Sequence, residues 1–286
     1  MKFDTIFTNL GQGVVFALIT FGFIIAAKKI ADLRTKEIDD DYEIQENNNY
    51  AVGFRRTGLY LGYAIAFAGM LGGGSAGFAT DIAAIFIDGV IITICLFSCR
   101  ALNDRVMLPG IDNDTEALKG NTAVGLSECG MYIATGFVLN GAFSGTSESI
   151  ATGALSAVVF FIVGQASLLL CGLCYEIITP FNIRDEIGKG NAAAGTALAG
   201  MLVALGIILR ASIAGSSAGW LADFISFALY TLFGILLLLF FRKAIDWFLL
   251  PDTSIAVEVE RDRNVAALAL TEAGVISVAI VIGSVM

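Results

Sequence analysis

The sequence contains eight apolar runs of 18 to 22 residues, and these runs constrain the fold more than any other feature. A bilayer hydrocarbon core of about 30 Å takes about 20 apolar residues to cross as a helix. The chain is 57% hydrophobic and 15% charged, with a mean hydropathy of +0.80, which excludes an ordinary soluble domain. We therefore predict an all-α polytopic membrane bundle of eight transmembrane helices, at Phe7–Ala27, Tyr50–Leu71, Ile82–Cys99, Thr122–Phe143, Leu155–Tyr175, Ala192–Leu209, Leu221–Phe241 and Val265–Val285.

The two halves of the chain repeat each other at a separation of 142 residues. Polar and special residues carry this correspondence, because apolar residues match by composition alone. The sequence therefore predicts two four-helix halves, 1–145 and 146–286. The matched pairs include Asn49 with Asn191, Gly58 with Gly200, Asp81 with Asp223, Arg100 with Arg242, Asp104 with Asp246 and Pro109 with Pro251.

A shorter repeat lies inside each half. Four asparagines, 70 to 73 residues apart, open every second apolar run: Asn49, Asn121, Asn191 and Asn264. Small residues follow them, as in Asn121-Thr-Ala-Val-Gly125. The predicted unit is a two-helix hairpin that is used four times in tandem.

Positive charge separates the two sides of the predicted membrane. Fifteen of the 17 Lys and Arg residues lie in or beside the loops that follow the odd-numbered runs, and only Lys2 and Arg210 lie on the other side. The positive-inside rule then places the four charged loops in the cytoplasm and both termini outside. Because every hairpin starts outside and turns in the cytoplasm, the repeats are predicted to be parallel.

The repeated asparagines have two interpretations. Asparagine is a favoured N-cap, since its side-chain oxygen accepts a hydrogen bond from an unpaired N–H at a helix start. Alternatively, the four carboxamides form a ring on the cytoplasmic side, where the adjacent small residues allow the helices to approach closely.

Ionisable residues within the apolar runs are the candidate functional residues. Such a side chain costs about 2.5–3.5 kcal/mol at a helix centre on insertion scales, so it requires a partner or water. Glu128 and Glu272 lie seven and eight residues beyond the asparagines of their helices, and Asp88 is a third candidate. Arg56 has the same nominal depth as Glu128, which predicts an ion pair with either a packing or a functional role. Arg55 is expected to extend its head group to the interface.

Composition also removes several classes of function. The chain has no histidine, which is the commonest proton shuttle and transition-metal ligand. No nucleophile and base are paired in the sequence, so we predict no enzyme, no metal site and no cofactor. The net charge of −9 argues against a nucleic-acid partner. An acidic segment, Asp39 to Glu46, either solvates a loop or binds a basic partner.

The repeat residues resemble the YjfL-like family of bacterial inner-membrane proteins, which is also known as domain of unknown function 350. The resemblance is best from Tyr175 to Pro180 and from Glu186 to Gly195, and this chain looks like a tandem duplication of the shorter four-helix protein. Leu268 departs from the motif, which has glycine at that position. The resemblance implies a location in the bacterial inner membrane and a repeat architecture, but neither a substrate nor a catalytic residue.

Two functional hypotheses follow. The first is passage or sensing of a proton or small cation through Glu128, Glu272 and Asp88, with the four asparagines near the cytoplasmic mouth. The second is a scaffold or anchor subunit without transport, whose acidic cytoplasmic segment recruits a protein partner. Both require contact with the lipid bilayer, and both leave open whether the chain forms a homo-oligomer.

Overall fold

The computed structural model describes residues 3–34, 39–72, 77–145, 149–215 and 217–286, and within these residues the chain is helical without a β-strand. A π-helical turn at Val257–Arg261 precedes the last helix. In chain order the helices are α1 (Phe3–Arg34), α2 (Asp40–Gln45), α3 (Tyr50–Leu71), α4 (Phe78–Val106), α5 (Asn113–Leu118), α6 (Thr122–Phe143), α7 (Ile150–Ile178), α8 (Ile183–Gly188), α9 (Ala192–Ile213), α10 (Trp220–Leu249) and α11 (Val265–Val285).

The eight long helices form two rows. Helices α3, α6, α9 and α11 pack side by side in that order and form the inner row. In the outer row, α4 packs on α3 and α6, α7 on α6 and α9, and α10 on α9 and α11, so that each outer helix covers a junction. Helix α1 packs on α3 and α4. The three short helices and the π-helical turn each lie just before an inner helix.

Glycines bring the inner helices into direct backbone contact. A Cβ atom added to Gly125 of α6 would lie 2.3 Å from the carbonyl oxygen of Ala51 in α3. The same addition to Gly195 of α9 would lie 2.5 Å from the carbonyl oxygen of Ala123 in α6. These glycines are the fifth residues of the asparagine motif, so close helix approach explains why the motif contains them.

Seven of the described helices are long and apolar enough to cross a membrane, judged by length and composition. Helix α3 is not among them. It is 22 residues long and packs within the inner row, but two buried arginines, Arg55 and Arg56, lower its hydropathy. The all-helical membrane fold is therefore confirmed, whereas the count of eight crossings stays a prediction.

The predicted bounds agree fully for three inner helices, α3, α6 and α11, and the predicted run in α9 is four residues short of Ile213. The outer helices are 29 to 32 residues long, which is longer than the apolar runs that predicted them. Their extra residues include charged groups that are paired within the protein. The predicted boundary between the halves borders residues 146–148, which lie outside the described residues.

Candidate functional site

Each of the four repeated asparagines caps the helix that it precedes. The side-chain oxygen of Asn49 accepts hydrogen bonds from the N–H groups of Ala51 and Val52. Equivalent bonds join Asn121 to Val124, Asn191 to Ala193 and Asn264 to Ala267. The capping interpretation is thus correct for all four, and it satisfies N–H groups that a helix start leaves unpaired.

The amide nitrogen of each asparagine also bonds a glutamate in the short element just before it. Asn191 Nδ2 donates to Glu186 Oε2 at 2.8 Å, and Asn264 Nδ2 donates to Glu258 Oε2 at 2.8 Å. Glu43 and Glu116 have the same role toward Asn49 and Asn121. Hydrogen bonds from Lys189 and Asn191 hold the pKa of Glu186 below its ordinary value, so that this carboxylate is ionised when it accepts the amide.

Three of the asparagines also connect their repeat to the next one. Asn49 Nδ2 donates to the carbonyl oxygen of Ala117 at 2.9 Å, which lies in the short helix of the second repeat. Asn121 bonds the carbonyl oxygen of Ile187 at 3.0 Å, and Asn191 bonds that of Val259 at 2.7 Å. The starts of the inner helices therefore lie together at one end of the row, and these helices run parallel. The asparagines link neighbours in a line and do not form a ring of carboxamides.

Glu128 lies in a buried charged cluster between α3, α4, α5 and α6. Its Oε2 atom accepts a hydrogen bond from Arg55 Nε at 2.6 Å, and its Oε1 atom lies 3.5 Å from Arg100 Nε. Both arginines also contact Asp114 of α5, Arg55 at 2.8 Å. Burial raises the pKa of Asp114, but Arg100 and Arg55 outweigh that effect and hold the pKa below its ordinary value.

A small cavity of about 10 Å³ opens beside this glutamate, enough for about one water molecule. Arg100, Asp104, Glu128, Met131 and Tyr132 line it. Glu128 Oε1 and Arg100 Nε are both buried and make no hydrogen bond. Two such groups at one cavity are the polar partners that a bridging water requires.

Glu272 lies in a second buried cluster in the other half of the chain. Arg242 of α10 donates to both of its carboxylate oxygens, at 2.9 and 3.3 Å. The same guanidinium donates to the Tyr175 hydroxyl at 2.7 Å and lies over the Tyr175 ring. Asp246 is one turn beyond Arg242 on α10, and its Oδ1 atom is buried without a hydrogen bond.

The predicted ion pair of Arg56 with Glu128 was wrong, because Arg55 is the partner. Arg56 instead contacts Asp32 of α1 and Asp40 of α2, with Nε 2.8 Å from Asp40 Oδ2. Successive residues of a helix point about 100° apart, so Arg55 faces α6 while Arg56 faces α1 and α2. The expectation that Arg55 extends to the interface was also wrong, since it is buried and bonded.

The three candidate acids do not converge on one cavity. Glu128 and Glu272 belong to separate clusters that share no residue. Asp88 lies half-buried on α4, and no described residue pairs with it. Among the residues that the structure describes, no group of His, Cys, Asp or Glu side chains has the arrangement of a metal site.

The acidic segment is largely occupied by contacts within the protein. Asp39 caps α2, Asp40 contacts Arg56, and Asp41 Oδ2 lies 2.6 Å from Lys28 Nζ. Glu43 accepts hydrogen bonds from Asn47 and Asn49. This segment therefore offers few carboxylates to a partner.

A family model described as Domain of Unknown Function (DUF350) matches residues 5–143 and matches again over residues 149–286. The chain belongs to the DUF350 family. A UPF0719 transmembrane protein of Aquifex aeolicus (strain VF5) is 24% identical over 256 residues, which are 89% of this chain and 93% of the relative. This DUF350 protein is therefore a multi-pass membrane protein with a duplicated domain. No solved structure matches it.

In each half of this DUF350 chain, an outer helix presents an arginine and an aspartate one turn apart to a glutamate on an inner helix. Arg100 and Asp104 of α4 face Glu128, and Arg242 and Asp246 of α10 accompany Glu272. The 142-residue repeat identifies both pairs in the sequence, but it does not show which glutamate they contact. The glutamates that bond the asparagines carry a signal too, because they precede them by five or six residues.

Proposed function

We propose that this membrane protein binds protons in its two buried clusters and thereby senses pH on the side where the repeats turn. The observation that carries the proposal is an excess of acid in both clusters. Asp104, Asp114 and Glu128 accompany two buried arginines, and Asp246 and Glu272 accompany Arg242 alone. One added proton per cluster removes the excess, although Arg34, an exposed residue of α1, partly offsets it in the first.

Carboxylate oxygens without donors give the proton a place to bind. Glu128 Oε1 and Asp246 Oδ1 are buried and accept no hydrogen bond. A protonated carboxyl donates a hydrogen bond that the ionised group cannot make. The cavity at Glu128 has room for about one water that could accept it.

A proton suits these clusters better than a metal cation does. Arginine guanidinium groups already occupy the positions in which a cation would neutralise the glutamates. A hard cation such as Ca²⁺ needs about 6 to 8 oxygen ligands, whereas each cluster has single unpartnered oxygens. The two clusters share no residue, which supports proton sensing more than proton passage.

The proposal is tested by infrared difference spectra of the full chain in lipid nanodiscs as the pH falls from about 8 to about 4, across the ordinary carboxyl range. Glu128→Gln and Glu272→Gln are each expected to remove one carboxyl contribution. Asp104→Asn and Asp246→Asn should remove the same contributions, because interacting carboxyls titrate as a pair. Asp252→Asn, an exposed acid outside both clusters, is the control and should leave the contributions of the clusters unchanged.

If the double variant Glu128→Gln/Glu272→Gln gave the same infrared titration as the wild type, the proposal would be overturned. The rival function, a scaffold or anchor subunit, would then be favoured. One observation already supports that rival, since each glutamate is ion-paired in a way that fixes how helices pack.

A further inference from the structure

The inner row has two open ends, α3 and α11. Within the apolar span of each helix, 72% of the residues are buried in α6 and 78% in α9, but only 39% in α11. Helices α6 and α9 each have an inner neighbour on both sides, whereas α3 and α11 have one. The question is what contacts the open sides of these two end helices.

Among the described residues, the hydrogen bond that joins successive repeats is missing at both ends of the inner row. Asn49, Asn121 and Asn191 each donate to the next repeat and are at most 9% exposed. Among the described residues, Asn264 has no following repeat beside it and donates to Glu258 alone, and its side chain is exposed.

At the α3 end of the row, the carbonyl oxygen that would accept this hydrogen bond has no donor among the described residues. In each junction the acceptor is the residue directly after the repeat's glutamate, and these three residues, Ala117, Ile187 and Val259, are 0% exposed. The equivalent residue of the first repeat is Ile44, which is only partly buried. No described residue donates to its carbonyl oxygen.

The steric pattern of the junctions also continues at the ends. In every junction, the residue nine positions after the asparagine of one inner helix contacts the next inner helix. The residue that it contacts there lies eight positions after the asparagine of that helix. A Cβ added to the first of these would lie 2.3 to 2.5 Å from the second, for Gly58 on Cys129, Gly130 on Ala199 and Gly200 on Glu272. The corresponding end residues are Ala273 of α11 and Thr57 of α3, both small and both exposed.

Other positions of the two end helices also match the residues that make contact in the three junctions. On the side where a following repeat would pack, α11 exposes small residues at the positions that α3 and α6 use in their own junctions: Ala266, Ser277 and Ser284. On the side where a preceding repeat would pack, α3 carries Gly53, Ala64 and Ala68, and a Cβ added to Gly53 would meet nothing within 4 Å.

We infer that a second copy of this chain continues the inner row, with its α3 packed against α11 of the first copy. Asn264 then donates to Ile44 of the second copy, and Ala273 meets its Thr57. The occupant is a second copy because the chain already makes this junction three times within itself. The inference is independent of proton binding.

Lipid is the other candidate for these faces, but small residues predominate on both of them. On the junction face of α11, Leu270 and Ile280 are the large residues among four small ones, and the junction face of α3 carries Gly53, Thr57, Ala64 and Ala68. Lipid chains tolerate large side chains, whereas packing between membrane helices favours small ones. Contact between different faces of two copies is heterologous, so it closes a ring or extends as a row.

Cysteine cross-linking in membranes tests the contact. The five native cysteines are first replaced by alanine. Two differently tagged full-length copies, one with Thr57→Cys and one with Ala273→Cys, are co-expressed and oxidised. We expect a several-fold higher yield of the mixed dimer than from either variant alone. Leu61→Cys with Ile276→Cys is the matched control, because this position of the inner helices stays partly exposed in α6 and α9 as well, at Ile133 and Val203.

A second measurement does not depend on cross-linking. Native mass spectrometry from lipid nanodiscs should show oligomers of the wild type, loss of oligomers for Ala273→Trp, and no change for Ile276→Trp. A monomeric wild type would overturn the inference. So would a mixed-dimer yield no higher than the control, or equal cross-linking of Thr57→Cys with itself, which would indicate a symmetric contact.

Discussion

At the scale of single residues, the asparagine before each inner helix combines three roles. Its oxygen caps the helix, and its nitrogen bonds both a glutamate of its own repeat and a carbonyl of the next repeat. Asn191 makes all three interactions and is 1% exposed. Asn264 lacks only the third interaction. A comparison of Asn191 with Asn264 therefore isolates the contribution of the hydrogen bond between repeats.

We predict that Asn191→Ala destabilises the protein more than Asn264→Ala does. Loss of the cap costs about 1 kcal/mol in each variant. Asn191→Ala also leaves the buried carbonyl of Val259 without a donor, which adds about 1–3 kcal/mol. Thermal unfolding of the monomer in detergent measures the difference, and equal losses in the two variants would contradict the role between repeats.

Residue depth could be predicted from the sequence, but residue direction could not. Counting from the asparagines placed Glu128 and the arginines at a similar depth, yet it selected Arg56 rather than Arg55. One residue changes the direction by about 100°, and only the packed position of α6 shows which arginine faces the glutamate. Hydropathy likewise finds α6 and α9 but says nothing of the lateral order of the helices.

At the scale of helices, close contact between inner helices depends on glycine at the junction positions. The sequence predicted contacts through small residues, and the glycine contacts in α6 and α9 are of this kind. The division into inner and outer rows could not be predicted, because both kinds of helix are apolar. The charged ends of the outer helices extended beyond the predicted runs because their charges are paired in the fold.

Substitution of two equivalent glycines should separate packing from helix propensity. Gly195→Ala places a methyl group about where the backbone of Ala123 lies, with 2.5 Å to its carbonyl oxygen, so it should cost about 1–3 kcal/mol. Gly53→Ala meets nothing within 4 Å, and alanine should stabilise the helix by up to about 1 kcal/mol. The melting temperatures of the monomeric detergent-solubilised variants provide the comparison. Equal shifts would show that α6 and α9 tolerate separation.

At the scale of the whole molecule, the distribution of charge predicts the orientation of the chain in the membrane. Three predicted cytoplasmic loops contain the short helices α2, α5 and α8, and the fourth contains the π-helical turn. All four elements lie at the end of the row where the asparagines link the repeats. Both buried clusters involve residues near that end of the inner helices.

Cysteine labelling in intact cells should place the loops on opposite sides. In the cysteine-free chain, Ser217→Cys should react with a membrane-impermeant maleimide from outside, because its loop lacks the positive charges that remain in the cytoplasm. Asp252→Cys should react only after permeabilisation. Both positions are exposed in the fold, so burial would not explain a missing signal. The reverse pattern would invert the predicted topology.

The junction between α6 and α9 has a consequence for how such a chain could arise. It joins the two duplicated segments, yet it uses the same asparagine bond and the same glycine contacts as the junction between α3 and α6. In an ancestor of half the length, this surface would have joined two separate polypeptides. Gene fusion would then have preserved a pre-existing association, and further hairpins could be gained or lost at either end without a new surface having to evolve.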